Sequence, residues 1–166
     1  MKHAKYFQLV LVIFLLIISF STNVAAQSAS KSDSLKSDFK NMVDSQRFVF
    51  EAQSVNPLRG NFRNLTSPYD VSVTKDTLRS YLPYFGRAHN PSYGTSQSAL
   101  DFTSTDFSYS VTPNKKGGWN IAIKPKDKTD IQEYLFTVFD NGNASLNVTS
   151  TSRDAISFNG YVRAKK

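Results

Sequence analysis

The chain has 166 residues, a formal charge of +7 and no cysteine. Without cysteine there is no disulfide, no thiol nucleophile, no lipidated N-terminal Cys and no Cys-based metal site. The basic residues are scattered, densest at Arg59/Arg63, Lys115-Lys116, Lys124/Lys126/Lys128 and Arg163/Lys165/Lys166, with no stripe of Lys and Arg interleaved with aromatics, so nucleic acid is not the expected partner.

Lys2, His3 and Lys5 precede an apolar run from Phe7 to Phe20, followed by a small, polar stretch ending in Val24-Ala25-Ala26. That is the order of a secretory signal peptide, with cleavage expected before Gln27. The apolar run of about fourteen residues is shorter than the ~20 of a spanning helix, so no stable membrane insertion is expected after cleavage. Loss of residues 1–26 leaves about 140 residues with a charge near +5, long enough for one domain with its own core. The expectation is an exported protein, periplasmic or extracellular, with at most weak attraction to anionic envelope surfaces.

Gln27 to Ser32 reads as a flexible lead-in. Residues 33–45 carry Leu35, Phe39, Met42 and Val43 at helical spacing, with Ser32 or Asp33 as the cap, which predicts one amphipathic helix whose apolar stripe covers a sheet. From Arg47 the period changes to two. Phe48/Phe50/Ala52, Tyr69/Val71/Val73, Phe107/Tyr109/Val111, Trp119/Ile121/Ile123, Leu146/Val148 and Ile156/Phe158/Gly160 each alternate with more polar neighbours, and Leu100 and Phe102 add a short strand. Tyr134 to Phe139 is apolar on both faces apart from Thr137, as expected of a strand covered on both sides. The stretches 54–68 and 79–98 read as irregular loops rich in large side chains, which either pack down or present a binding surface.

Turn chemistry joins the strands. Asn114 to Gly118 predicts a hairpin loop with Gly117 or Gly118 at positive φ, and Asp140-Asn-Gly-Asn143 predicts a tight type I′ hairpin. Ser150 to Asp154 is a further connection. The predicted class is all-β: a single domain over 33–166, an antiparallel meander of about eight strands closed as a small barrel or flattened sandwich, with one N-terminal helix. A membrane-spanning barrel fits less well, because most runs are shorter than the roughly 9–11 residues of spanning strands.

Catalytic signatures are sparse. After cleavage His89 is the single histidine, so no multi-His metal site can form, and neither metal nor cofactor is expected. No G-x-S-x-G elbow, P-loop or G-x-G-x-x-G is present. Asp127, Asp130 and Asp140 do not follow the spacing of a calcium loop. The segment that stands out is Tyr81-Leu-Pro-Tyr-Phe-Gly86, with Tyr93 close behind. Tyrosine joins apolar area to a polar tip and suits ligand or partner contact, so Tyr81, Tyr84, Phe85, Arg87, His89 and Tyr93 are the candidate binding residues, and no catalytic residue is assigned. The same composition also suits a plug folded over one end of the barrel.

The run Leu82-Pro-Tyr-Phe-Gly-Arg-Ala88 is similar to the hallmark of a secreted Bacteroidetes family, domain of unknown function 4251. Phe48-Val-Phe-Glu-Ala52, Leu100-Asp-Phe102, Trp119-x-Ile121-x-Ile123-x-Pro125, Gly142-x-Ala144-x-Leu146-x-Val148 and Ile156-x-Phe158-x-Gly160 match in order. The family often has an aromatic where this chain has His89. The resemblance implies a Gram-negative envelope location and a lipocalin-like all-β fold, and supplies no activity. In a Bacteroidetes source, Asp33-Ser-Leu35 and Asp76-Thr-Leu78 would resemble periplasmic O-glycosylation signals.

Three functions fit this reading. The first is a non-catalytic binding module for a small apolar, glycan or peptide ligand. The second is a structural or protein-interaction component of the envelope. The third is a hydrolase using His89 as its base. Oligomeric state is not legible.

Overall fold

The computed structural model describes residues 36–89 and 98–165. The expected signal peptide, the lead-in and the caps Ser32 and Asp33 lie outside the described residues. A helix, α1, covers residues 36–44. Nine strands follow: β1 (Phe48–Pro57), β2 (Arg63–Val73), β3 (Leu78–Tyr81), β4 (Asp101–Ser104), β5 (Phe107–Pro113), β6 (Trp119–Pro125), β7 (Ile131–Val138), β8 (Asn143–Ser150) and β9 (Ile156–Ala164). They form one sheet in the order β4-β3-β2-β1-β9-β8-β7-β6-β5.

All the pairings are antiparallel, and β1 pairs with both β2 and β9. A ring of alternating strand directions needs an even number of members. Following the directions around the ring, β4 and β5 run the same way. They are two halves of one long strand bent at Thr105-Asp106: β3 pairs with the first half (Leu78↔Ser104 to Tyr81↔Asp101) and β6 with the second (Phe107↔Pro125 to Pro113↔Trp119). The result is a nearly closed, barrel-like meander of eight strand paths, as the alternation predicts. Asp127 clamps the bend. Its carboxylate accepts from the Ser104 hydroxyl and, at 3.3 Å, from the Thr105 N–H. The Ser104 hydrogen bond leads in holding the Asp127 carboxyl below its usual range. Beside it, the Lys126 N–H donates to the Asp106 carbonyl at 2.8 Å.

Inward-facing residues of the alternating runs fill the lumen. Phe48, Phe50, Tyr134, Phe136 and Phe158 are all buried almost completely. Phe136 is met edge-on by Phe48 and Phe50, both at 5.7 Å between ring centres, and lies 6.4 Å from Tyr134. Such pairs each add about 0.5–1.5 kcal/mol beyond area burial.

Helix α1 closes the end where β1 begins. Met42 and Val43 are buried, and Phe39 packs against the core. The helix stops in a Schellman arrangement: Gln46 takes φ 54°, its N–H donates to the Val43 carbonyl, and the Arg47 N–H donates to the Met42 carbonyl. The Tyr109 hydroxyl on β5 donates to the Val43 carbonyl at 2.9 Å, and burial pushes its phenol pKa up.

The expected irregular stretches contain structure. β1 runs on to Pro57, β2 begins at Arg63, and β3 occupies 78–81. The outer residues of β2 are exposed on both faces near its start, so no alternation marks it. β7 is not covered on both sides: Leu135 is exposed, because the outer face of a barrel wall meets solvent. The Asp140–Asn143 hairpin is not type I′. Only Gly142 has positive φ (84°); the Gly142 N–H donates to the Phe139 carbonyl, and the Phe139 N–H to the Asn143 carbonyl, which makes a three-residue loop with a bulge. Both Gly117 (91°) and Gly118 (82°) take positive φ in the other loop.

Gly160 is required for space. It pairs with Ala52 at the β1 irregularity, and a β-carbon there would collide with the Glu51 carbonyl oxygen. Backbone cannot yield as a flexible side chain does. Gly160→Ala is expected to cost about 3 kcal/mol or more, read as a large drop in the urea midpoint. A midpoint near wild type would contradict this packing.

Candidate functional site

The β3–β4 connection lies over the opposite end of the barrel. Leu82 and Leu100, at its two ends, are buried. A buried polar chain fixes them to the lumen. The Ser80 hydroxyl donates to the Leu100 carbonyl at 2.6 Å and so accepts from the Tyr134 hydroxyl at 3.0 Å. Desolvation raises the Tyr134 pKa far above that of a free phenol, so it stays a donor. The Ser98 hydroxyl donates to the Leu82 carbonyl at 2.7 Å, tying the two ends together.

Beyond Leu82, the tyrosine segment is anchored to the β8–β9 connection. Tyr84 Oη lies 2.9 Å from both the Arg87 and Asp154 carbonyls. Its ring packs so closely on Gly86 that a β-carbon there would strike the hydroxyl. Residues 87–89 run antiparallel to 152–154 through the Ala88↔Arg153 bridge, with the His89 N–H donating to the Ser152 carbonyl at 2.7 Å and the Asp154 N–H to the Arg87 carbonyl at 3.0 Å. Above them, the Arg153 guanidinium sits 5.5 Å from the Tyr84 ring centre, and its Nε donates to Asp130 at 3.1 Å. Asp130 also accepts from the Ser150 hydroxyl at 3.1 Å and from that of Ser152. Burial opposes ionisation of Asp130, but the Ser152, Arg153 and Ser150 donors outweigh it, and its carboxyl is held below the usual range.

His89 Nε2 lies 3.0 Å from Asp154 Oδ1. The Asp154 side chain is 6% exposed, and its Oδ2 lies 3.9 Å from Arg59 Nε. A histidine held by a buried carboxylate is two members of a nucleophile-activating triad. It is also a tie between the loop and the β8–β9 connection, and the neighbouring backbone bonds repeat that tie.

Two surface grooves meet at a tyrosine pair. Tyr69 on β2 and Tyr81 on β3 have ring centres 5.4 Å apart, inclined by 34°. The end groove, of about 520 Å³, is lined by this pair together with Leu82, Pro83, Tyr84, Ser98, Asp101 and Arg153. The outer groove, of about 430 Å³, runs from the same pair across β1, β2 and β9 to Glu51, Gln53, Asp70, Arg79, Tyr161 and Arg163. Glu51 accepts from the Tyr161 hydroxyl and from Arg163 Nε; the Tyr161 bond, then Arg163, depresses the Glu51 pKa, and the same bond raises that of Tyr161. Arg79 and Asp70 approach to 3.9 Å.

Of the six sequence candidates, Tyr81 and Tyr84 line the end groove. Phe85 stacks under Arg63, at 4.8 Å. Arg87 is exposed, with its carbonyl on Tyr84; His89 sits on Asp154; Tyr93 lies outside the described residues. Sequence reasoning missed Tyr69, Glu51, Asp101, Arg153, Tyr161 and Arg163. Alternation marks Glu51 as outward-facing, but it groups Tyr69 with inward Val71 and Val73, says nothing of Arg153 in the β8–β9 connection, and does not tell which strands meet. Among the described residues no three His, Asp or Glu side chains are grouped to hold a metal, and no helix is long and apolar enough to cross a membrane.

A family model, Domain of unknown function (DUF4251), matches residues 30–162. The chain belongs to the DUF4251 family. A crystal structure of a DUF4251 protein from Bacteroides eggerthii DSM 20697 is similar, with a TM-score of 0.55 and 18% identity, covering 79% of this chain and 88% of that one. At that identity the likeness is one of fold. No curated protein matches the chain. The Leu82–Ala88 run that resembles the DUF4251 hallmark is the segment that Gly86, Tyr84 and Leu82 hold over the barrel end, so its sequence has a packing reason.

Two measurements test this scaffold. Ser80→Ala leaves the Tyr134 hydroxyl unpaired and takes one of its two donors from the Leu100 carbonyl, which keeps the Leu82 N–H at 3.3 Å, whereas Tyr134→Phe removes one donor. The first is expected to cost about 2–3 kcal/mol and the second about 1, as urea midpoints; equal costs would contradict the chain of bonds. Asp130 has a depressed pKa, so its contribution is present above the unfolded-state value of about 4 and is lost as pH falls through the folded value. The side chain is 37% exposed, so Asp130→Asn is expected to cost only about 1 kcal/mol at pH 7. That difference should shrink as pH falls below about 4 and disappear once pH is below the folded value; a cost independent of pH would remove the charge from the account.

Proposed function

We propose that this DUF4251 protein is an exported, non-catalytic binding module whose ligand lies outside the barrel, on the grooves that meet at Tyr69 and Tyr81. The observation that carries the reading is the filled lumen. Five aromatic rings occupy the space in which a lipocalin-type barrel holds a ligand, which leaves the outer surface. There, Tyr81 is 41% exposed and its hydroxyl bonds to no described residue, while its ring is set by Tyr69. Grooves of a few hundred Å³ with aromatic walls and a few polar groups fit ligand sites. The N-terminal pattern of residues 1–26 supports export to the periplasm or exterior.

A second reading has its own observation. Leu58 (67% exposed) and Phe62 (57%) stand in the β1–β2 connection at the same end as Phe85 (39%). Exposed apolar groups gathered at one end suit a protein partner. His89-dependent hydrolysis has the Asp154 pair in its favour and no other feature.

Native mass spectrometry of the protein purified from its own host tests the proposal. The expected wild-type mass begins at Gln27 and carries a small molecule, which Tyr81→Ala loses without a change in thermal midpoint. A retained molecule indifferent to Tyr81→Ala, or a bare polypeptide, would overturn the reading. Loss of a bound protein chain on Leu58→Ser/Phe62→Ser replacement would favour the second reading instead.

A further inference from the structure

We infer that the two grooves form one trough for a neutral oligosaccharide chain; this rests on the external-site reading above. Three observations narrow the ligand. The grooves share the Tyr69–Tyr81 pair as a common wall and continue from the barrel end onto the outer sheet, which suits an extended ligand and gives a compact one no reason to need both. The lining charges balance in the outer groove, where Glu51 and Asp70 stand against Arg79 and Arg163. A groove with no net charge has no Coulombic preference for a phosphate, a uronate or a basic peptide.

The third observation is how those charges are spent. Glu51 is engaged by Tyr161 and Arg163, Arg153 by Asp130, and Asp70 lies beside Arg79. Each is a planar group with further lone pairs or N–H donors to offer, held in place by its neighbour. Fixed, paired carboxylates and guanidiniums present adjacent acceptors and donors without the cost of leaving a lone charge unpaired. Vicinal hydroxyls, each both donor and acceptor, match that display. A lipid tail does not match it, because burying these groups against hydrocarbon would strip their remaining hydrogen bonds. Gln53 adds an amide of the same two-way kind at the rim. The exposed Tyr81 face supplies the apolar platform on which the carbon face of a sugar ring rests, and its hydroxyl supplies a polar contact at the edge. The two-groove arrangement places Tyr81 at the centre, with sugar units extending to either side.

The test is a backbone-amide NMR titration of the mature chain with five separate probes. Two are neutral, cellohexaose and mannohexaose; the others are an oligogalacturonate, lysophosphatidylcholine micelles and an uncharged acetylated peptide. At least one neutral hexasaccharide is expected to shift signals of both grooves, at Gln53, Asp70, Arg79, Tyr81 and Ser98. Its affinity should change by less than about twofold between about 0.05 and 0.5 M salt. Tyr81→Ala should weaken it by roughly tenfold or more, while Tyr81→Phe, which keeps the ring, weakens it far less. If the uronate, micelle or peptide shifts the grooves and neither neutral sugar does, the saccharide inference fails and the external-site reading stands. If no probe shifts the grooves, or all shifts fall on lumen residues such as Phe136, both fail.

Discussion

The ring of Phe136 sits in the middle of the barrel, met edge-on by Phe48 and Phe50 and flanked by Tyr134. Everything else in the molecule follows from that contact being protein on protein. A lumen packed at the density of an interior has no room for a guest, so the fold that in other proteins serves as a cup serves here as a solid post. The chain has no disulfide to stabilise it. Aromatic packing carries the stability that cross-links supply in many small domains, and it fills the lumen. The useful surface is then whatever the outer wall and the end loops present.

The bent strand decides what that surface looks like. Residues 101–113 serve two neighbours in succession, β3 along their first part and β6 along their second. Between the two parts the chain turns at Thr105-Asp106, where Asp127 holds Ser104 and Thr105. β5 swings toward α1 and meets it through Tyr109. β3 and β4 are left as a short pair of four residues each, carrying Tyr81 and Asp101 opposite one another at the far end. The shortness of that pair places the tyrosine segment on top of the barrel. Its two ends are drawn in by Leu82 and Leu100, and its middle is tied across to the β8–β9 connection.

Much of this was legible in the sequence. The period-two runs name most of the lumen residues, because a side chain that alternates inward must be apolar wherever water is excluded; Val111, at the end of its run, is exposed, and Tyr69 lines the outer grooves instead. Phe39, Met42 and Val43 likewise mark the buried stripe of α1. Three things were hidden. β3 is four residues long, too short for a period to declare itself, and all but its first residue lies in a stretch whose aromatics suggested loop. Tyr134 to Phe139 looked doubly covered, but an exposed Leu135 costs little when it stands alone on a wall. Asn141-Gly142 looked like a two-residue turn, yet Asn141 keeps negative φ and Phe39 lies where a side chain on residue 142 would be. For the site, the run from Tyr81 to Gly86 announced itself by composition. Tyr69, Glu51, Tyr161 and Arg163 did not. They sit on three different strands, and their meeting depends on β1 pairing with β9, a contact between residues some hundred positions apart that no local pattern encodes.

Three tyrosines of one chemical type show how the fold divides its labour. Tyr134 is wholly buried, and its hydroxyl ends in Ser80 and, through it, in the Leu100 carbonyl. Tyr84 is half-buried, and its hydroxyl is spent on the Arg87 and Asp154 carbonyls that stitch the segment down. Tyr81, at the end of β3, has its ring set by Tyr69 and its hydroxyl turned to no described residue. A tyrosine is costly to expose if only its area is wanted, and a leucine would fill the Tyr69 contact as well. What a tyrosine adds over leucine is a flat face and a polar tip, the features on which the proposed external site rests. The first two hold the β3–β4 connection down on the barrel end, and the third, set by Tyr69, faces solvent.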